Sequence, residues 1–301
     1  MAWELTEDVE EFRRAAGAYL ARDAARNTVL LTVSELLRNG SAAAAAGAAP
    51  AAPAAPARFG WWRERAGAEV TGAFVRTPPR PPVLGPMSPG AASALARVLR
   101  ATGGPVTGVQ GSTETARAFA EAWAAGPEES ATGLRLFRLG ELTPPSPAPE
   151  GRARYATDKD LPLAVEWVNA FADEIGEPTG TDHSAATAQR VADGRLLFWE
   201  VAGEPVSLAA TAPLVAGQVR VGPVYTPAAH RGHGYAAAAT AAVSEAAREV
   251  GAQEVLLFTD TANPTSNALY ERLGYRPLED FAVRHFADPS PSGANSSPSG
   301  D

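Results

Sequence analysis

Cysteine is absent from this 301-residue chain, so disulfides, thiolate nucleophiles and thiolate metal sites are excluded. Lysine is nearly absent too: Lys159 stands alone, and arginine carries the rest of the positive charge. The formal charge of −8 argues against a general nucleic-acid binder, which would present a basic face, and mildly favours cationic substrates such as amines. No apolar run approaches the roughly 20 residues that span a bilayer, so no membrane partner is expected. The start, Met1-Ala2-Trp3-Glu4-Leu5, lacks the basic and apolar regions of a signal peptide, and a cytoplasmic location is the expectation. Apolar residues at 45% suffice for a sizeable core.

Three low-complexity segments divide the sequence. Residues 41–57 are almost entirely Ala, Gly and Pro, too poor in apolar bulk to order themselves. Thr143-Pro144-Pro145-Ser146-Pro147-Ala148-Pro149-Glu150 reads as a semi-extended linker. Residues 288–301 form a Ser/Pro/Gly tail expected to be disordered. The expected organisation is therefore a first domain over 1–142, a linker at 143–150, a second domain over 151–287, and the tail.

The second half reads βααβββαβαβ. A strand over 152–156 precedes a helix from Leu163 to Ile175, in which Leu163, Trp167, Val168 and Phe171 recur at helical spacing. Asp182 is placed to cap a helix through Ala192. Residues 196–201 and 205–211 form a hairpin around Ala202-Gly203-Glu204. The strand over 218–226 contains Pro223, which cannot donate to a ladder, so a bulge or a break is expected there. A helix to about Val250, a buried strand over 255–259, a helix capped by Asn263 with Pro264 at its first position, and a strand from Tyr275 complete the set.

The densest signal lies between strand and helix, at His230-Arg231-Gly232-His233-Gly234-Tyr235-Ala236. A basic, glycine-punctuated turn opening into an alanine-rich helix aims unpaired N–H groups and the positive dipole end at one point, which suits phosphate. Arg231 adds a cation, and Gly232 and Gly234 permit close backbone approach. His230 and His233 lack a carboxylate pair nearby, so a phosphate neighbourhood fits them better than a metal, and no metal is expected. Ser207 and Ser266 have no acid–base partner in sequence, which leaves a serine nucleophile unsupported. Trp61, Trp62, Trp167 and Trp199 read as core or pocket walls.

Arg231-Gly232-His233-Gly234-Tyr235-Ala236 satisfies the Arg/Gln-x-x-Gly-x-Gly/Ala signature of the GNAT superfamily of acyl-CoA-dependent N-acyltransferases. Asn263, Tyr270 and the Leu273-Gly274-Tyr275 ending match its second signature. The chain thus resembles that superfamily over about 151–287. The resemblance implies the GNAT fold, an α/β protein with a mixed sheet, and acetyl-CoA as acyl donor. It implies that Val224, Tyr225 and Thr226 pair with the pantetheine arm through their backbones, and that Arg231, Gly232, His233, Gly234, Tyr235 and Ala236 cradle the pyrophosphate. Asn263, Ser266 and Tyr270 would stand beside the cofactor, with Tyr270 protonating the leaving thiolate. The reaction implied is direct attack of a neutral amine on the thioester. Asp260 and Glu200 are alternative bases, directly or through water.

The first half echoes the second. Phe59 to Arg63, Val70 to Arg76 and Val83-Leu84-Gly85-Pro86 parallel Leu197 to Glu200, Pro205 to Thr211 and Val221-Gly222-Pro223. A helix over 90–100, a strand over 106–110 and a helix over 113–124 are expected next. The echo suggests tandem GNAT-like domains, the first degenerate because it lacks the arginine-glycine turn. An unrelated α+β domain is the alternative for that half. The acceptor amine stays open, whether small molecule or protein N-terminus, as does monomer or homodimer. A second reading of the whole is an acyl-CoA-binding sensor without transfer activity.

Overall fold

The computed structural model describes residues 2–40, 55–102, 106–123, 128–177 and 181–286. Most of the Ala/Pro stretch at 41–57 and the whole tail at 288–301 lie outside the described residues.

The first half runs β1 (Ala2–Thr6), α1 (Val9–Arg22), α2 (Thr28–Arg38), β2 (Arg58–Arg63), β3 (Val70–Arg76), β4 (Val83–Leu84), α3 (Pro89–Thr102), β5 (Gly108–Ser112), α4 (Thr113–Trp123) and β6 (Glu128–Leu139). The second runs β7 (Arg152–Tyr155), α5 (Leu161–Glu174), α6 (Ser184–Ala192), β8 (Leu196–Val201), β9 (Glu204–Thr211), β10 (Gln218–Tyr225), α7 (Tyr235–Glu249), β11 (Glu254–Asp260), α8 (Pro264–Arg272) and β12 (Tyr275–Phe286). The order of strands and helices is the same in both halves. No helix among the described residues is long and apolar enough to cross a membrane.

All the strands join one 12-stranded sheet in the order β1-β2-β3-β4-β5-β12-β6-β11-β10-β9-β8-β7. The halves exchange their last strands: β12 lies against β5, and β6 lies against β11. Between them β6 and β12 pair along their length, from Tyr275 opposite Leu139 to Phe286 opposite Glu128. The linker therefore divides the chain without dividing the sheet.

Helices cover both faces. On one face of the second half, α7 sets Ala239, Val243 and Ala247 against Val219, Val221 and Leu257. The small alanines let the helix sit close to the strands, and the Tyr275 hydroxyl reaches Ser244 Oγ at 2.7 Å within that buried layer. On the opposite face α5 and α6 bring Trp167, Val168 and Val191 onto Phe198 and Leu208. In the first half Phe12, Leu20 and Leu30 pack onto Phe59 and Trp61 from one side, and Leu95, Leu99 and Phe119 cover Phe74 from the other.

Two expectations shift. The strand expected over 106–110 is Gly108–Ser112, running straight into α4. Its first residue is glycine because β12 lies so close: a Cβ at Gly108 would stand 2.3 Å from the Arg284 carbonyl oxygen. Helix α6 starts at Ser184 with His183 in the capping position; Asp182 instead accepts from the Ser184 N–H at 2.8 Å.

Candidate active site

The site forms where β10 parts from β11. The two run parallel from Gln218 opposite Glu254 to Val221 opposite Leu257, and their register stops there although both strands continue. On its other side β10 also breaks register, resuming with Val224 opposite Ala209 and Tyr225 opposite Leu208. Pro223, without an N–H, and Gly222, at φ 147°, occupy the interruption. Past the break, the edge of β10 that faces β11 has no ladder partner. A slot between splayed strands results, bordered by Val224, Tyr225 and Thr226.

Beyond Thr226 the chain turns through Ala228–His230 and enters the glycine turn. Gly232 and Gly234 both have φ 82°, a conformation that side chains resist, and Gly234 is the residue before α7. The first bond of helical type is Ala238 N–H to the Gly234 carbonyl, 3.1 Å. The amides ahead of it point out of the helix end with the positive dipole behind them. His233, exposed, stacks on Tyr235 with ring centroids 5.4 Å apart. The Arg231 guanidinium donates to the Thr226 carbonyl at 2.9 Å and also to Glu174, so the cation clamps the turn onto the end of β10.

Helix α8 forms the other bank. Asn263 caps it by accepting from the Ser266 N–H at 3.0 Å, and Asn267 bridges to the carbonyls of Asp260 and Asn263. One turn on, half-buried Tyr270 packs its ring near Phe137 and Tyr275, 6.5 and 6.0 Å between centroids. Burial pushes the Tyr270 hydroxyl up to about 12, which keeps it a proton donor at neutral pH.

The two candidate bases stand differently. Asp260 ends β11, beyond the point where β10 leaves it, on the same strand face as Leu256 and Phe258; it is exposed and accepts from the Ala262 N–H at 2.7 Å. Glu200 lies on β8, separated from β10 by β9, which is two strand spacings or roughly 10 Å of sheet. Its buried carboxylate faces Arg152 and Arg154, each at 3.5 Å. The structure brings Asp260 to the slot and leaves Glu200 in an ion-pair cluster at the sheet edge.

The matching position of the first half is closed. After β4, Gly85 donates to the Ala73 carbonyl at 2.9 Å, and the Tyr19 hydroxyl donates to the Pro86 carbonyl. A Cβ at Gly85 would lie 2.6 Å from Asn27 Oδ1 and 3.0 Å from the Tyr19 oxygen. Side chains from α1 and its following turn thus pack against the turn after β4.

Splayed parallel strands thus lie next to a glycine turn and a helix N-terminus. Residues 163–275 match the model of the acetyltransferase (GNAT) family. Solved structures of similar fold extend over both halves. A Drosophila protein is 13% identical with a TM-score of 0.65, covering 94% of this chain and 98% of its own. A GCN5-related N-acetyltransferase from Sphaerobacter thermophilus is 17% identical with a TM-score of 0.55, covering 94% of each chain. An acetyltransferase from the GNAT family of Colwellia psychrerythraea is 12% identical with a TM-score of 0.53, covering 85% of this chain and 97% of its own. No curated protein matches the chain.

Proposed function

We propose that the chain is an N-acyltransferase that moves an acetyl or related acyl group from acyl-CoA to an amine. The observation carrying this reading is the loss of β10–β11 pairing after Val221 and Leu257, beside the outward-pointing amides of Gly232 to Ala236. Val224, Tyr225 and Thr226 offer backbone groups to an extended arm, and Gly232 to Ala236 offer amides to a pyrophosphate. Acyl-CoA would supply an activated thioester. Strand N–H groups polarise its carbonyl, and the amine forms the new C–N bond as the C–S bond breaks. Tyr270 delivers a proton to the leaving sulfur. Asp260, at the slot mouth, accepts the amine proton directly or through water. The first half shapes the acceptor side and holds no CoA of its own, a role supported by the closed turn at Gly85.

Purified protein given acetyl-CoA and a varied amine panel should release free CoA above the rate without amine. Tight CoA binding with no amine-dependent release would instead identify a sensor of acyl-CoA.

A further inference from the structure

Side chains on a strand alternate between faces, so Val219 and Val221 on the α7 face leave Arg220 on the other. That second face is covered by α5 and α6 and, at Arg220, by α2 of the first half. Arg220 Nη1 donates to the hydroxyls of Thr28 and Thr32, at 3.3 and 3.5 Å. Arg190 of α6 stands close enough to repel it, and the Arg190 Nε is buried with no hydrogen-bond partner among the described residues. Thr187 Oγ1, on the same face of α6, and Gln218 Nε2, on the same face of β10, are buried and unpaired as well.

The charge does not balance. Among the described residues one carboxylate, Glu177, stands beside Arg80 and Arg190; it lies 3.5 Å from Arg80 and 3.3 Å from His183 Nε2. Neither Arg190 nor Arg220 has an ion pair among the described residues. Arg195, another cationic neighbour of Arg190, is taken by Asp193 at 2.6 Å. Burial pulls both guanidinium groups down to about 10, Arg190 helped by its cationic neighbours, yet each stays charged at neutral pH. Both arginines are half-buried, and cations withdrawn from water are ordinarily paired, because an uncompensated one is unfavourable. Two together, with unpaired donors beside them, describe a receptor for an anion. The place is informative: Arg220 precedes the Gly222-Pro223 break by two residues, on the face away from the pyrophosphate turn.

We propose that Arg190 and Arg220 bind the carboxylate of the acceptor, so that the acylated amine belongs to an amino-acid-like molecule. This rests on the acyltransferase reading and names its substrate class. It also gives the first half a part in the site, since Thr28 and Thr32 orient Arg220.

The test pairs each common amino acid with its amide, in thermal melting of the protein and in CoA release from acetyl-CoA. At least one acid should raise the melting temperature, and its kcat/KM should exceed that of its amide roughly ten- to hundredfold, as expected for charge-assisted hydrogen bonds. Arg190→Met and Arg220→Met should melt no lower than the parent without ligand, since each removes a half-buried charge that has no ion pair among the described residues, and should abolish the preference for acid over amide. Acid and amide behaving alike, no acid shifting the melting temperature, or a preference surviving in both variants overturns the proposal. Arginine-dependent binding of acids without CoA release would preserve the anion site and sink the transferase reading. Acylation of amines regardless of carboxylate would do the reverse.

Discussion

Arg135 of β6 and Asp280 of β12 face each other as a two-pronged pair, Nε to Oδ1 at 2.7 Å and Nη2 to Oδ2 at 2.9 Å, across the seam between the halves. The guanidinium holds the Asp280 carboxyl below its ordinary value. A depressed carboxyl contributes stability that is present above its unfolded value, near 4, and lost as pH falls through the folded one. Both groups are partly exposed, so the pair is worth about 1 kcal/mol or less. Arg135→Ala should therefore lower stability by that amount at pH 7, and parent and variant should converge in strong acid. Urea denaturation at both pH values measures the difference.

The seam sets a larger expectation. Residues 151–287 expressed alone would keep β12 without either sheet neighbour and expose β11 along the edge that β6 covers. Unpaired edges of this length favour aggregation. The isolated half should be insoluble, whereas co-expression of 1–142 with 143–301 should yield a soluble complex on size-exclusion chromatography. A soluble, monomeric 151–287 with a cooperative melt would contradict it.

The parts of the site made by local chemistry were readable from the sequence. Pro223 announces the interruption of β10 because a missing N–H is visible in the residue itself, and Gly232, Gly234, Asn263 and Pro264 announce their turns the same way. Helix α1 carries a legible signal too: Asp8 accepts from Glu10 N–H ahead of Phe12, Ala16 and Leu20 at core spacing. Strand β6 is different. Its partners β11 and β12 lie more than a hundred residues away, and nothing in Leu134 to Leu139 names them. Arg190 and Arg220 were silent for a related reason. An arginine is ordinarily an exposed or paired residue, and only the packing of α2, α6 and β10 shows that neither of these two has an ion pair among the described residues.

The glycine turn can be tested through affinity alone. Gly234 at φ 82° would be strained by a β-branched side chain, by about 1–2 kcal/mol, and the added bulk would stand among the outward-pointing amides. Arg231→Ala would release the Thr226 carbonyl and loosen the turn. Titration calorimetry with CoA should show roughly tenfold weaker binding for Arg231→Ala and a greater loss for Gly234→Val. Unchanged affinity in both would remove the pyrophosphate from this turn.

Tyr270 offers the sharpest separation of chemistry from packing. Its ring is wedged near Phe137 and Tyr275, so Tyr270→Phe keeps the contacts and removes only the hydroxyl. If that hydroxyl protonates the leaving sulfur, kcat should fall by about a hundredfold or more while CoA affinity stays within a factor of about two. The pH profile gives a second readout. With the hydroxyl up at about 12, the acid remains protonated throughout the working range. The parent enzyme should then show kcat/KM rising with pH as the amine loses its proton, with no descending limb below pH ~10, because the acid stays loaded well past that point. A variant with undiminished kcat, or a parent profile that falls between pH 8 and 9, would assign proton delivery to another group.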